Sequence, residues 1–243
     1  MKPLHEPLSR PPASLSPQSG ERAARGVVIA IDGASASGKS TNAKIVAKAL
    51  GFIHVDTGAM YRTLAWHCLK QGVDVHDAEA VSALCARWNA TLECAGHTVH
   101  LLVDGYHPAR EIRSVQVSEA TPLVAAAPKV REWMKEKQRQ CIQFGNMVME
   151  GRDIGTHVFP GARFKFYLDA SASERAKRRA AEGISENIAA RDERDTRRAS
   201  APLQIAPDAV VINNSHLTAA QTSALILERV RRDCQLTAEN CRS

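Results

Sequence analysis

Gly33-Ala34-Ser35-Ala36-Ser37-Gly38-Lys39-Ser40 is the stretch from which the rest of the chain is best approached. Before it runs Val27-Val28-Ile29-Ala30-Ile31, apolar and mostly β-branched, which reads as a buried parallel strand. After it, Ala43, Val46, Ala47 and Leu50 recur at helical spacing, and Gly51 can end the helix. A strand, a small-residue loop and a helix in that order fit G-x-x-x-x-G-K-S without a mismatch. Glycines and small residues let backbone N–H groups turn inward around phosphate oxygens, and the helix points its positive end at them. Lys39 adds a full charge, Ser40 offers a hydroxyl to Mg²⁺, and Thr41 continues the first turn. The loop predicts binding of a nucleoside triphosphate, a property shared by switch GTPases, motor ATPases and small-molecule kinases.

Strand and helix signals alternate outward from the loop. Phe52-Ile53-His54-Val55 reads as a second strand entering Asp56-Thr57-Gly58, with a helix over 59–70. Residues 73–127 show shorter alternating segments, Thr91–Cys94 and Thr98–Val103 among them, and are expected to form a small insert. A helix over about 128–143 follows. The strands Met147–Glu150, Phe164–Leu168 and Ala209–Ile212 come next, with capping boxes at Ser171/Glu174 and Thr218/Gln221. This order predicts an α/β fold, a parallel sheet flanked by helices on both faces. The expected core is 26–72 plus 128–235. Residues 1–25, rich in Pro, Ser and Arg, read as a disordered tail, and 236–243 as a C-terminal tail.

Of the 243 residues 44% are hydrophobic, enough for a sizeable core, and the net charge is +6, which invites anionic partners. Aromatics are only 5% and the arginines are interleaved with Asp and Glu, which argues against single-stranded nucleic acid as the partner. Six cysteines lie outside any CxxC or Cys/His spacing, and no stretch approaches the ~20 apolar residues of a membrane span. A reducing, cytoplasmic setting is expected. Isolated histidines, His54 and His67 among them, are assigned no role.

The segment Arg191-Asp192-Glu193-Arg194-Asp195-Thr196-Arg197-Arg198 is a second clue. On a helix, Arg191, Arg194, Asp195 and Arg198 share one face. Asp195 cannot neutralise three guanidinium groups, whose forks suit phosphate oxygens. An ion-pair ladder on a solvated helix is the competing reading.

Several motifs then line up: Ile31-Asp32-Gly33 through Lys39-Ser40-Thr41, Asp56-Thr57-Gly58-Ala59-Met60-Tyr61-Arg62, Glu111-Ile112-Arg113, Val130-Arg131, Glu150-Gly151-Arg152-Asp153-Ile154-Gly155-Thr156, Tyr167–Ser171, Arg191–Arg198 and Ala201-Pro202-Leu203. Together, over roughly residues 27–232, they resemble the bacterial cytidylate kinase family. The resemblance implies a P-loop kinase core, a monophosphate-binding insert at 73–127 and a short lid at about 180–198. It implies transfer of the γ-phosphoryl group of ATP to CMP or dCMP with Mg²⁺, in a monomer. It places Gly33 to Thr41 on ATP, with Ser40 on the metal. Asp56, Thr57, Gly58, Tyr61, Arg62, Arg131, Arg152, Asp153, Arg191, Asp195 and Arg198 fall to the acceptor. Lys39, Arg152, Arg191, Arg194 and Arg198 carry the transfer. Within that set Arg62, Arg152 and Arg198 would surround the acceptor phosphate, Arg191 and Asp195 would reach its ribose, and Arg131 with Asp153 would read the base. Glu150 could mimic the acid that supports a P-loop metal, but the resemblance puts it near the acceptor.

Two features depart from the family pattern. Pro122 stands where the family carries a serine that contacts the base, so Thr121 is the nearest substitute. Only eleven residues, 180–190, separate Arg179 from Arg191, which shortens the lid. Another small-molecule kinase with UMP or a different acceptor is the alternative reading, along with a non-catalytic P-loop protein. A GTPase is disfavoured because no Asn-Lys-x-Asp occurs.

Overall fold

The computed structural model describes residues 26–181, 192, 193, 196 and 201–240, without the side chains of 235–240. Seven strands form one sheet: β1 Val28–Gly33, β2 Ile53–Asp56, β3 Ala90–Ala95, β4 Thr98–Val103, β5 Met147–Gly151, β6 Phe164–Asp169 and β7 Val210–Asn213. Their order is β3-β4-β2-β5-β1-β6-β7, and every neighbouring pair is parallel except the β3–β4 hairpin. β1 is buried along its whole length, as an apolar central strand requires. Register pairs Ile31 with Glu150 and His54 with Val148, which sets Glu150 and His54 on one face.

Seven helices cover the sheet among the described residues: α1 Lys39–Leu50, α2 Thr57–Lys70, α3 Ala78–Arg87, α4 Val115–Val124, α5 Pro128–Gln140, α6 Ala172–Ala181 and α7 Ala219–Asn240. One apolar cluster joins Ile29, Ile31, Val148, Phe166 and Leu168 to Val46 of α1 and Ile226 and Val230 of α7. The other joins Val28, Ala30, Val55, Met147 and Met149 to Leu64 of α2, Val124 of α4 and Met134 of α5. Burial of two sheet faces by helices is thus the source of the core.

Most boundaries fall within two residues of those expected from periodicity. The helix expected over 128–143 ends at Gln140 and tightens into a 3₁₀ turn, Cys141–Phe144. The segment 73–127 does not build a sheet of its own. Its hairpin extends the core sheet, with His54 and Val55 paired to Thr98 and Val99. Helix α7 continues to Asn240, past the expected end of the core at 235. The Thr218/Gln221 box is complete: Gln221 N–H donates to Thr218 Oγ1 at 3.2 Å, and Thr218 N–H to Gln221 Oε1 at 2.9 Å. At Ser171/Glu174 only half forms, Glu174 N–H to Ser171 Oγ at 3.3 Å, because the Glu174 carboxylate turns to Arg178.

Candidate active site

The phosphate loop leaves β1 at Gly33 and enters α1 at Lys39. Ala36 (φ 57°) and Gly38 (φ 87°) adopt left-handed backbone, the price of turning successive amides inward. Gly33 is fixed by close approach: a Cβ there would lie 2.3 Å from the Leu168 carbonyl oxygen. Helix α1 begins without a side-chain cap and without an acid in its first turn. Its positive end is therefore offered to a ligand. Lys39 Nζ donates to Ala34 O at 2.6 Å, so the amine lies across the loop.

Residues far along the chain brace this loop. Asn214 Nδ2 donates to Ser37 O at 2.9 Å, Asn42 Nδ2 to Gly38 O at 2.8 Å, and Ser223 Oγ to Asn42 Oδ1 at 2.8 Å. Arg175 donates to Ser35 O at 3.2 Å and pairs with Asp192, whose Oδ1 accepts from Ser35 N–H at 3.2 Å. Arg179 donates to Ser35 Oγ at 3.3 Å. Sequence motifs do not mark Arg175 or Arg179; their i, i+4 spacing on α6 is the available signal.

A cleft of about 220 Å³ opens beside the loop. Lys39, Ser40 and Thr41 line one wall; Asp56 at the end of β2 and Thr57, Gly58, Tyr61 and Arg62 of α2 line another. Arg131, Arg152 and Asp153 line it too, with Thr121, Pro122 and Ala125 at the end of α4. Asp56 caps α2 by accepting from Ala59 N–H at 2.8 Å and also pairs with Arg62 at 3.1 Å. Arg131 is 5% exposed and pairs with Asp153 at 2.7 Å, its guanidinium 5.9 Å from the Tyr61 ring centroid. Arg152 donates to the Gly33 carbonyl, which ties the acceptor wall to the start of the loop. Thr121 Oγ1 donates to Val117 O at 2.6 Å, so its hydrogen is committed within α4. Arg191, Arg194, Asp195 and Arg198, with most of the lid, lie outside the described residues.

Glu150 lies where the two walls meet: it pairs in register with Asp56 on one side and Ile31 on the other, and its carbonyl accepts from Thr57 Oγ1 at 2.7 Å. Strand β5 lies beside β1, which brings its side chain under α1, on the phosphate-loop side of the cleft. Glu150 Oε2 accepts from Ser40 Oγ at 2.7 Å, and Oε1 faces His54 Nε2 at 3.2 Å. A hydroxyl backed by a carboxylate suits a hard cation with oxygen ligands. Among the described residues no cluster of three or more His, Cys, Asp or Glu side chains could cage a metal. The donor set fits a cation that shares its ligands with phosphates rather than one held by protein alone.

Asp32, in the Ile31-Asp32-Gly33 motif, supports the site from behind the cleft. It is buried and accepts from Ile154 N–H at 2.9 Å and Gly155 N–H at 2.8 Å, tying β1 to the turn that follows Arg152-Asp153. Burial pushes its carboxyl from 3.8 up to about 6, with the Asp153 charge adding to the rise; the two amide bonds and Lys39 oppose it. Native protein therefore keeps a proton that the unfolded chain releases between those values, and stability falls as pH rises through that window. Asp32→Asn removes the titration. Its unfolding free energy relative to wild type is expected to rise by about 2–3 kcal/mol between pH 4 and pH 7. Urea unfolding at both pH values checks this; an unchanged difference contradicts it.

The family model for cytidylate kinase matches residues 29–232. A cytidylate kinase of Geobacillus kaustophilus (strain HTA426) is 43% identical over 217 residues, 85% of this chain and 97% of that protein. One of Limosilactobacillus fermentum (strain NBRC 3956 / LMG 18251) is 40% identical over 220 residues, 86% of this chain and 97% of its own. A solved gluconokinase from Sinorhizobium meliloti 1021 covers 88% of this chain and 97% of its own at 13% identity and a TM-score of 0.47, a likeness that says nothing about activity. The chain belongs to the cytidylate kinase family, a family of phosphotransferases.

Proposed function

We propose that the protein transfers the γ-phosphoryl group of ATP to CMP or dCMP, giving ADP and CDP or dCDP. The observation that carries this reading is a cleft with two chemically distinct walls. One wall is an uncapped helix start with Lys39; the other holds Arg62 and the Arg131–Asp153 pair. The first suits the phosphates of ATP, and the second a nucleoside monophosphate.

In this reading the amides of residues 33–41 cradle the β and γ phosphates. Lys39 neutralises charge that spreads over the γ oxygens as the bond to the β-phosphate oxygen breaks. Arg62, Arg152 and Arg198 hold the acceptor phosphate so that its oxygen lies in line with the γ-phosphorus. Arg191 and Asp195 reach the ribose, and Arg191, Arg194 and Arg198 of the lid add positive charge and exclude water. Asp153 gives one oxygen to Arg131 and accepts with the other from the exocyclic amine of cytosine; uracil would bring a carbonyl oxygen to the same place. Ser40, backed by Glu150, would hold Mg²⁺, which would supply charge neutralisation at the phosphates.

Residues 73–127 serve as the monophosphate-binding insert, since α4 lines the cleft. A monomer in a reducing, cytoplasmic setting is the companion reading. The reducing setting is supported by the free thiols at Cys68, Cys85 and Cys141, which are buried and which burial raises to about 11, 12 and 12. No helix among the described residues is long and apolar enough to cross a membrane.

A coupled assay of ADP release with ATP plus CMP, dCMP, UMP or AMP tests the activity. Release is expected to depend on CMP or dCMP. Release with neither, or a clear preference for UMP or AMP, would remove the cytidine assignment.

A further inference from the structure

His54 is a buried imidazole on β2, 4% exposed, between apolar neighbours Ile53 and Val55. Its register with Val148 places it two positions before Glu150 along β5 and on the same face, beneath α1. Glu150 is 3% exposed, and both of its oxygens are engaged, Oε2 by Ser40 Oγ at 2.7 Å and Oε1 by His54 Nε2 at 3.2 Å. A carboxylate oxygen accepts, so in this contact the His54 Nε2 is the donor. His54 Nδ1 is buried with no hydrogen-bond partner among the described residues. A branched aliphatic chain would fill this space without burying an unsatisfied nitrogen. What the imidazole supplies and an aliphatic chain cannot is the hydrogen bond to Glu150.

That bond has a geometric consequence. With Oε1 held by His54, the carboxylate cannot turn about its last torsion, and Oε2 stays aimed at Ser40. Ser40 then donates its hydrogen inward to Glu150, and its lone pairs face the cleft. We propose that His54 is a positioning residue for the divalent cation that accompanies ATP, acting through Glu150 on the hydroxyl of Ser40. This rests on the reading that Mg²⁺ and ATP bind at the loop. Without His54, Oε1 is a buried acceptor with no donor, and the carboxylate rotates or moves. Ser40 is then no longer held with its lone pairs toward the metal. Removal of a group that orients a metal ligand typically costs about 10–100-fold in metal affinity.

The test compares wild type with His54→Leu, His54→Phe and His54→Gln by calorimetric titration of ATP at stepped Mg²⁺ concentrations, with CMP binding measured alongside. For His54→Leu the Mg²⁺ midpoint for strengthening ATP binding is expected to rise by at least about tenfold. CMP affinity and metal-free ATP affinity should stay within about twofold of wild type. His54→Gln, whose amide N–H can replace the Nε2 donor, should recover the wild-type midpoint to within about threefold. His54→Phe supplies the donor-free arm if the leucine variant does not fold. A donor-free variant with the wild-type midpoint overturns the proposal. So does a glutamine variant as impaired as the donor-free one, or a parallel loss of CMP affinity, each of which makes His54 a packing residue. Wild-type ATP binding that ignores Mg²⁺ would overturn the metal reading itself, and with it this proposal. A wild-type response to Mg²⁺ that persists without the donor overturns the role of His54 alone.

Discussion

Replacing Lys39 with Met is expected to lower turnover with ATP and CMP by about 10²–10³-fold, equivalent to ~2.7–4 kcal/mol of transition-state stabilisation. Met keeps most of the apolar stem and removes the charge. In the free protein the amine reaches back to Ala34 O at 2.6 Å, so its place over the loop is fixed before any ligand arrives. A preorganised charge contributes more in the transition state than a mobile one, because little reorganisation accompanies the reaction. The expected pattern is a fall in kcat with CMP affinity retained, since Arg131 and Asp153 stand on a different wall of the cleft. Steady-state kinetics with calorimetric CMP binding measures both. A Lys39→Met enzyme within tenfold of wild-type kcat would remove the loop from the transfer step.

The second large effect is expected at the Arg131–Asp153 pair. With side chains 5% and 14% exposed, this is an ion pair largely out of water. Arg131→Ala leaves the Asp153 carboxylate without its cation, a change that costs about 3–5 kcal/mol of stability when the pair is buried. Asp153→Asn keeps the shape and replaces one acceptor with a donor. If Asp153 reads the cytosine amine, the wild-type site should reject uracil by about 10⁴-fold or more, because uracil leaves the carboxylate unpaired. The Asn variant can offer N–H to the uracil carbonyl, and the ratio of kcat/KM for CMP over UMP is expected to shrink by at least about 100-fold. Denaturant melts of Arg131→Ala and nucleotide ratios for Asp153→Asn check the two halves separately. An unchanged ratio would detach Asp153 from base reading, whatever happens to stability.

What can be read from the chain follows the range over which each feature is encoded. Gly33–Ser40 is legible because strand, loop and helix adjoin in sequence and the motif needs no distant partner. The start of α2 is legible for the same reason, since Asp56 caps a helix that opens one residue later. The Arg131–Asp153 contact joins α5 to the end of β5 and is visible in the sequence only through family resemblance. The contacts of Glu150 with Ser40 and His54 depend on one fact, the order β2-β5-β1. Periodicity says that each strand is buried but not which strands adjoin, so the Ser40–Glu150–His54 chain has no sequence signature. Asp32 stands within the Ile31-Asp32-Gly33 motif, but its contacts are not legible, because its partners are the backbone amides of Ile154 and Gly155, which carry no residue identity. The β3–β4 hairpin is recognisable as two short strands, but its attachment to β2 depends on which sheet edge is open.

The bracing of the phosphate loop bears on when this protein becomes able to work. Ser37 O is held by Asn214 across 177 residues of chain, and Asn42 by Ser223 across 181. A ribosome makes the loop well before its supports. Contacts of such long sequence separation form late, since closing a long loop carries an entropy cost that only the finished packing offsets. A nascent chain thus carries its most recognisable sequence unsupported until β7 and α7 have been made. The supported geometry of the loop arrives with β7 and α7 rather than with the segment that bears the motif.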